Sequence, residues 1–417
     1  MTRPTVRRAA GRPPRPRTLH RGAAAPPTPR GAPHVLLYAA FFLMGAEMYL
    51  VAPMLPDIAE SLHASVAATA TIVTAYVLVY AVAGPPFGIL ADRYPRRWSI
   101  LLGSLVFMLG NLACAVAGSL TMLVAGRGIT GLGAAIAAPA IWAYLAERTP
   151  QHQRGRVISL GASVYSLGQV LGVPLGAALA ALTSWRWPFL AVGLLMIVTS
   201  AVLYVRLEHV PVTGQSRGFR ALLAPWRQPR ISLGLIATLF LQAARLGAYT
   251  FVGVIYAQRF GFGLSALGLV GLLVGAGSLV GSLSAGTILD RLHRRGVSGV
   301  WVSVVAAVAF IPCAVVALTN NQVIVALVAL TLWCVFGGAF YSSQQAYLSS
   351  ADPTQRASVV AWNNSMMNAG IAIGTTLLGA LTVGGAVFAG CTAVFGLVAA
   401  VVSAVLLALL RKERQPA

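Results

Sequence analysis

The stretch Gly88-Ile-Leu-Ala-Asp-Arg-Tyr-Pro-Arg-Arg97 places one acid and three arginines between two long apolar runs. A second stretch, Gly286-Thr-Ile-Leu-Asp-Arg-Leu-His-Arg-Arg295, has its glycine, its aspartate and all three arginines at the same spacing, 198 residues further along the chain. A repeat over this distance, in a chain that otherwise avoids charge, predicts two similar halves that lie in a membrane.

The composition excludes an ordinary soluble protein. Of the 417 residues, 58% are hydrophobic and only 9% are charged, whereas soluble proteins have about 25% charged residues. Most of the chain is therefore expected inside a lipid bilayer. A net charge of +21 also occurs in nucleic-acid-binding proteins. Here the arginines cluster at the ends of apolar runs, which is typical of the cytoplasmic loops of membrane proteins. We therefore expect the lipid bilayer, and no nucleic acid, as a partner.

Twelve apolar runs are long enough to cross the membrane, because a transmembrane helix needs about 20 apolar residues. The predicted spans are 35–56, 66–90, 98–118, 121–145, 157–181, 188–207, 231–257, 264–289, 299–318, 321–348, 357–382 and 385–410. The predicted fold class is an all-α membrane protein with 12 transmembrane helices in two parallel six-helix pseudo-repeats. Because six is an even number, both halves have the same orientation, as in one large class of transporters.

The spans divide the chain into five segments. These are an Arg- and Pro-rich tail that we expect to be disordered, the N-terminal six-helix half, a polar linker, the C-terminal six-helix half and a short C-terminal tail, at 1–33, 34–207, 208–230, 231–410 and 411–417.

The basic residues predict the orientation in the membrane. With the N-terminus inside, 26 of the 30 Lys and Arg residues fall in cytoplasmic segments, and only Arg186 and Arg259 fall in outer loops. Both termini and the linker are therefore predicted to be cytoplasmic.

The first charged stretch resembles the signature G-x-L-A-D-R-x-G-R-R of the major facilitator superfamily, with Pro95 in place of the second glycine. Two further motifs resemble the drug:proton antiporter branch of that family. Arg127-Gly-Ile-Thr-Gly-Leu-Gly133 is similar to R-x-x-x-G-x-G. Gly168-Gln-Val-Leu-Gly-Val-Pro-Leu-Gly176 is similar to the glycine-proline motif of the antiporters, with Val173 inserted before the proline. The resemblance implies a 12-helix efflux protein of the bacterial cell membrane that exchanges small molecules for protons, and we expect a monomer.

The resemblance also implies a conformational latch on the cytoplasmic side. In relatives the aspartate of the signature bonds to the N-terminus of span eleven, where a helix dipole favours an acid; here that is Asp92 near Ser358. The later arginine, here Arg96, pairs in relatives with an acid at the end of span four, here Glu147. The implied latch residues are Gly88, Asp92, Arg93, Arg96, Arg97 and Glu147, with Asp290 and Arg291 in the repeat.

The glycines of predicted span five form a smooth stripe. Gly168, Gly172 and Gly176 recur every four residues and share one helix face, so another helix can approach closely. Pro174 lacks a backbone donor and can bend the helix. Two compatible interpretations are open: the stripe packs a neighbouring helix, or it seals the halves against each other.

Glu47 is the only acid well inside an apolar run. At about 1.5 Å per residue it lies ~13 Å from the outer end of span one, and Arg127 lies ~9 Å into span four. A carboxylate at that depth is costly and usually faces a partner or a cavity, where it can be poised to bind and release a proton. We therefore predict that Glu47 carries the coupled proton with Arg127 as its partner. A permanently paired, structural glutamate is the alternative.

Arg245 lies inside predicted span seven without an obvious acid partner in its own half. Three roles are open: it balances Glu47 across a central cavity, it binds an anionic group of the substrate, or it extends to a membrane boundary. Other polar residues inside the spans are candidates to line a substrate cavity, with hydrogen bonding between helices as the alternative. They are Tyr76, Tyr80, Gln169, Gln242, Tyr249, Gln344, Asn364 and Asn368.

The sequence contains no catalytic constellation, metal-ligand spacing or phosphate-binding loop, and its four cysteines lie singly in apolar runs. We therefore predict no enzyme activity, no metal and no cofactor, and an ion gradient as the energy source. The predicted function is proton-coupled antiport of small, largely apolar compounds such as drugs or antibiotics. The alternatives are a proton-coupled symporter or exporter of a sugar or other metabolite, and a membrane sensor that transports nothing.

Overall fold

The computed structural model describes residues 32–91, 94–149, 151–207, 223–295, 297–352 and 356–413. All regular secondary structure in these residues is helical. The helices are α1 (Ala32–Ser61), α2 (Val66–Ala91), α3 (Arg96–Ala115), α4 (Leu120–Arg148), α5 (Gln151–Leu182), α6 (Arg186–Arg206), α7 (Pro229–Gln242), α8 (Val252–Phe260), α9 (Leu264–Arg294), α10 (Val300–Thr319), α11 (Val323–Ala351), α12 (Arg356–Gly379) and α13 (Ala386–Lys412). Nearly all of the predicted N-terminal tail and most of the predicted linker lie outside the described residues.

The prediction of an all-helical membrane fold is confirmed. Ten helical segments of the described residues are long and apolar enough to cross a membrane; one of them consists of α7 and α8 together. The bent helix α1 is an eleventh if its two parts are counted as one span. The chain is thus a multi-pass membrane protein. α12 lies at predicted span eleven but is not among these segments, because it contains the polar residues Asn363, Asn364 and Asn368. The count of twelve spans and the orientation of the termini stay predictions.

The first span of each half is interrupted near its middle. α1 bends by 45° between its segments His34–Met48 and Leu50–Ser61. In the second half, α7 ends at Gln242, a π-helical segment Ala243–Gly247 follows, and α8 begins only at Val252. π-helical turns are rare and frequently occur at functional sites. Each interruption lies beside a charged residue, Glu47 in α1 and Arg245 in the π-helical segment.

α5 packs on α1 through the predicted stripe of glycines. A Cβ atom at Gly168 would collide with the backbone of Phe42, and one at Gly172 would collide with the backbone of Ala46. Gly176 lies against a side chain of α1 as well. The stripe therefore packs against a helix of its own half, as the first interpretation expects. It does not form the contact between the halves that the second interpretation expects.

α12 packs on the first span of the second half in the same way. A Cβ atom at Gly370 would collide with the backbone of Leu239, and one at Gly374 would collide with the backbone of Ala243. These glycines stand 202 residues after the first two glycines of the stripe. The repeat in the sequence is thus also a repeat in how the helices pack.

The halves contact each other along α5 and α9, along α2 and α12, and between α1 and α8. On α9, glycines make room for α5: a Cβ atom at Gly271 would collide with the side chain of Val173, and one at Gly268 would lie 3.5 Å from Cα of Pro174. These contacts lie at the ends of both helices that the charge pattern predicts to be outer. The halves are therefore sealed at that side by the glycines of α9 and by a neighbouring face of α5.

Replacing Gly271 by Val is expected to push α9 away from α5 at this seal. Overpacking of this kind costs about 1–3 kcal/mol, which shifts an equilibrium between two conformations by a factor of about 5–150. The shift favours a conformation that is open at the predicted outer side. The measurement is the rate at which a membrane-impermeant maleimide labels a single cysteine placed at Val270, in a background without the four native cysteines.

The matched control is Gly390→Val on α13, where no atom lies within 4 Å of an added Cβ. It should label at the unchanged rate. Equal labelling rates for the two variants would contradict the expected opening.

Candidate functional site

The glycines of the arginine motif on α4 allow close packing against two helices. A Cβ atom at Gly131 would collide with the backbone of Tyr76 on α2, and one at Gly133 would collide with the backbone of Phe107 on α3. Because both positions are glycine, α4 approaches both neighbours closely. The side chain of Arg127, one turn earlier on α4, thereby reaches the backbone of α2.

Arg127 forms an ion pair with Glu47 of α1, and both side chains are completely buried. The Nε of Arg127 also donates a hydrogen bond of 3.2 Å to the carbonyl oxygen of Ile72 on α2. Its guanidinium carbon lies 4.6 Å from the ring centroid of Tyr76. Three helices therefore enclose one acid and one base, which we call the buried pair. The sequence places the two residues at similar depth, and the structure brings them together.

The protonation of Glu47 changes the energy of the buried pair. Taking a carboxylate and a guanidinium out of water costs several kcal/mol per ion, and the attraction between them offsets that cost only while both are charged. A proton on Glu47 leaves Arg127 as an uncompensated buried cation, an arrangement that costs about 3–5 kcal/mol. The site can therefore convert the binding of one proton into a change in how α1, α2 and α4 pack.

Three of the predicted cavity residues lie around the buried pair. Met48, which follows the glutamate on α1, accepts a hydrogen bond of 3.4 Å from the hydroxyl group of Tyr165 and lies 3.8 Å from Nε2 of Gln169, both on α5. On α2, the ring centroid of Tyr80 lies 6.4 Å from that of Tyr76. Gln169 thus contacts the residue that follows Glu47, and Tyr80 lies near the ring that faces Arg127.

Arg245 is the buried cation of the second half. It lies in the π-helical segment and is 8% exposed. Its Nη2 donates a hydrogen bond of 2.7 Å to Oγ of Ser278 on α9. Its side chain occupies the space beside Gly337 on α11, where a Cβ atom would collide with it. Among the described residues, no carboxylate pairs with Arg245, and its Nε has no hydrogen-bond partner.

Gln242 and Tyr249 flank the π-helical segment. Gln242 is 2% exposed, and its Oε1 has no hydrogen-bond partner within the described ranges. Tyr249 lines a cavity of about 10 Å³ between the halves, together with Ala52 and Pro53 of α1. A cavity of this size holds at most about one water molecule. In this conformation Tyr249 therefore belongs to the contact between the halves.

The remaining cavity candidates lie in contacts between or within helices of the second half. Gln344 is completely buried and donates a hydrogen bond of 2.9 Å from Nε2 to the carbonyl oxygen of Gly234 on α7. Asn368 is also buried and donates a hydrogen bond of 2.8 Å to the carbonyl oxygen of Asn364, one turn earlier on α12. Both side chains stabilise the helical packing in this conformation.

Two of the implied latch residues are in contact. Nη2 of Arg96 lies 2.8 Å from Oε1 of Glu147, so the start of α3 is joined to the end of α4. Arg97 donates a hydrogen bond of 2.6 Å to the carbonyl oxygen of Tyr204 on α6. Three helix ends therefore meet at the predicted cytoplasmic side.

The other latch residues are only partly described. Asp92 and Arg93, and with them the expected contact to the start of α12, lie outside the described residues, as does the side chain of Asp290. Gly88 lies in the last turn of α2, and Arg291 is exposed on α9.

One correspondence between residues of the two halves is not part of any motif. At the offset of 198 residues that relates the two charged stretches, Glu47 corresponds to Arg245, and Phe42-Leu43 corresponds to Phe240-Leu241. The signal is present in the sequence, but a search for similar residues passes over it because the two charges are opposite. The structure places both charged residues at the interruption of the first span of their half.

Comparisons with known proteins agree with this architecture. The family described as Major Facilitator Superfamily matches residues 37–375. The uncharacterized MFS-type transporter YwfA of Bacillus subtilis is 26% identical over 347 residues, which cover 81% of this chain and 82% of the relative. A chloramphenicol resistance protein of Streptomyces lividans is 28% identical over 262 residues, which cover 62% of this chain and 67% of the relative.

Solved structures share the fold. A bacterial homolog of the human lysosomal transporter Spinster, in an inward-facing and occupied conformation, matches with a TM-score of 0.81 at 18% identity, covering 94% of this chain and 100% of that one. The xylose transporter XylE from E. coli matches with a TM-score of 0.69 at 16% identity, covering 88% of this chain and 95% of that one. The chain belongs to the Major Facilitator Superfamily of membrane transporters.

Proposed function

We propose that this protein exports small, largely apolar compounds in exchange for protons, by alternating access of its two halves. The observation that supports the proposal is the buried pair, in which the only acid deep in a span is held against a cation. Stability alone does not explain such a pair, since replacing a buried ion pair by apolar side chains is often neutral or stabilising. A transported proton gives the pair a function.

In the proposed cycle, the proton binds at the carboxylate of Glu47. The deprotonated carboxylate pairs with Arg127 or binds a polar group of the substrate. A proton from outside cancels this charge and releases the bound partner. Because Arg127 is then uncompensated, the helices around it rearrange, the site opens to the cytoplasm, and Glu47 releases its proton there and pairs with Arg127 again. The bend of 45° in α1 lies directly beside Glu47, where the helix can change direction.

The location and the assembly complete the proposal. We place the protein in the inner membrane of a bacterial cell with both termini in the cytoplasm, as the distribution of basic residues predicts. Members of this family bind small molecules and typically act as monomers, so a monomer is expected here. Arg96 and Glu147 form part of a latch that favours one of the alternating conformations, as the resemblance implies.

One relative supports export, and the solved structures do not distinguish export from import. The name of the Streptomyces lividans relative states resistance to chloramphenicol, which suits an exporter. The solved structures named for xylose and nucleoside transport are 16% and 14% identical to this chain, so they support only the fold. The alternative functions are a proton-coupled symporter or exporter of a sugar or other metabolite, and a sensor that transports nothing.

Purified protein in proteoliposomes with an imposed pH gradient separates these functions. We expect a member of a panel of small apolar antibiotics and dyes to accumulate only in vesicles with an acidic lumen, because protons then leave as the compound enters. A symporter accumulates its substrate, for example xylose or uridine, only with the opposite gradient, and that result would overturn the proposal. A sensor accumulates nothing with either gradient, which would overturn it as well.

A further inference from the structure

Arg245 differs from the other buried cations. Three arginines of the described residues are at least nine-tenths buried, namely Arg96, Arg127 and Arg245, with exposures of 9%, 0% and 8%. The first pairs with Glu147 and the second with Glu47. Arg245 pairs with no acid of the described residues. An ionised group without a counter-charge at this depth is unfavourable and usually serves a pathway or a ligand.

The repeat explains why Arg245 has no acid partner among the described residues of the second half. Arg245 stands where the first half has its acid, Glu47. The offset of 203 residues that relates Tyr144-Leu145 to Tyr347-Leu348 places Leu330 of α11 at the counterpart of Arg127. Leu330 is apolar and completely buried. The second half thus holds a cation at the interruption of its first span and an apolar residue where the counter-charge would stand.

The described surroundings of Arg245 use only part of its hydrogen-bonding capacity. One of its five N–H donors is used by Ser278, while Nε has no partner. Gly337 leaves room for the side chain where any larger residue would displace it. The side chain is therefore held in one position by Ser278 and Gly337.

We infer that Arg245 binds an anionic group of the transported compound, so that the substrates are amphipathic organic anions with a carboxylate or similar group on an apolar body. The guanidinium plane matches a carboxylate with two parallel hydrogen bonds, and the ligand supplies the missing counter-charge. This inference rests on the proposed transport function and names its substrate class. It selects one of the three roles that the sequence leaves open for Arg245. A side chain that is only 8% exposed does not agree with extension to a membrane boundary.

The test compares two probes that differ only in charge, 2-naphthoate and 2-naphthamide, on the purified full-length protein at pH 7. Ligand binding to the folded protein raises its unfolding temperature. A thiol-reactive fluorogenic dye reports unfolding, because Cys114 and Cys334 are buried in the folded state. We expect the carboxylate to bind at least about tenfold more tightly than the amide, because a hydrogen bond to a charged group typically changes the affinity by at least this factor.

Two variants test whether Arg245 causes the preference for the carboxylate. In Arg245→Gln the carboxylate and the amide should bind equally well, and the variant should fold because it leaves no buried charge unpaired. Gly337→Ala keeps the charge but displaces the guanidinium, so it should also weaken binding of the carboxylate. The matched control is Arg411→Gln, which removes an exposed cation at the end of α13 and should keep the wild-type preference.

Four results would overturn the inference. The first three are equal binding of both probes to the wild type, no binding of the carboxylate at all, and a preference that survives in Arg245→Gln. The fourth is displacement of 2-naphthoate by chloride at equal concentration, with chloride titrated into a low-salt buffer that contains no carboxylate, since the site would then take small inorganic anions. The binding assay contains no pH gradient, so its failure leaves the role of Glu47 unaffected, and failure of the proteoliposome experiment leaves the anion site unaffected.

Discussion

The variant Glu47→Gln is expected to lose uphill transport driven by a pH gradient, down to the level of vesicles without protein. Glutamine has the size of glutamate but cannot bind and release a proton, and no other acid lies deep in a span. The measurement is accumulation of a transported compound in proteoliposomes with an acidic lumen, at equal amounts of inserted protein. Asp57→Asn is the matched control, because it removes an exposed carboxylate from the same helix and should leave the accumulation unchanged.

A double variant separates the loss of coupling from the loss of stability. Glu47→Gln alone leaves Arg127 buried without a counter-charge, which costs about 3–5 kcal/mol. The combined change of Glu47→Gln and Arg127→Gln removes both charges and should recover most of that stability, measured as the temperature of unfolding. It should not recover uphill transport. Wild-type accumulation in either variant would show that the buried pair is structural and that another group carries the proton.

The variant Gly172→Val is expected to abolish correct assembly of the first half. A Cβ atom at this position would collide with the backbone of Ala46, next to Glu47 on α1. A backbone cannot move aside as the end of a flexible side chain does, so the cost lies at or above the upper end of the usual overpacking range of about 1–3 kcal/mol. The measurement is the yield of monodisperse protein in size-exclusion chromatography, together with the unfolding temperature. Gly374→Val should behave in the same way, because its Cβ atom would meet the backbone of Ala243.

Gly390→Val is the control for this effect. Gly390 is exposed on α13, and no atom lies within 4 Å of an added Cβ. The same change of glycine to valine in a membrane helix should therefore give protein in wild-type yield. A variant at Gly172 that is as stable as the one at Gly390 would mean that α5 and α1 are separated more widely than in this structure.

Much of the fold follows from apolar run lengths. The predicted span 66–90 corresponds to α2, Val66–Ala91, and the predicted span 188–207 corresponds to α6, Arg186–Arg206. In a bilayer every backbone polar group must be satisfied within its own segment, so an apolar run of sufficient length becomes a helix whatever its neighbours are. No comparable pattern in the sequence predicts the interruption at the π-helical segment Ala243–Gly247, because Ala and Gly occur throughout this chain.

The candidate site could be predicted in part. Depth along a helix follows from counting residues, and the opposite charges of Glu47 and Arg127 at similar depth made them candidates for a pair. The surroundings of Arg245 could not be predicted in this way, because Ser278 and Gly337 lie on two other helices. Only the packing of these helices shows that no acid of the described residues pairs with Arg245.

The membrane location, the helical class, the repeat of the two halves and the isolation of one acid among apolar residues can all be read from the sequence. These properties depend on composition and spacing along the chain, which a bilayer converts directly into helices. Which helix each face meets depends on the packing in three dimensions. The glycine stripe on α5 lies against α1, the glycines of α9 seal the halves, and Arg245 has no acid partner in the part of the chain that the structure describes. The physical reason is that lipid is as apolar as most of these side chains, so close packing and buried charges, rather than hydrophobicity, select the neighbours.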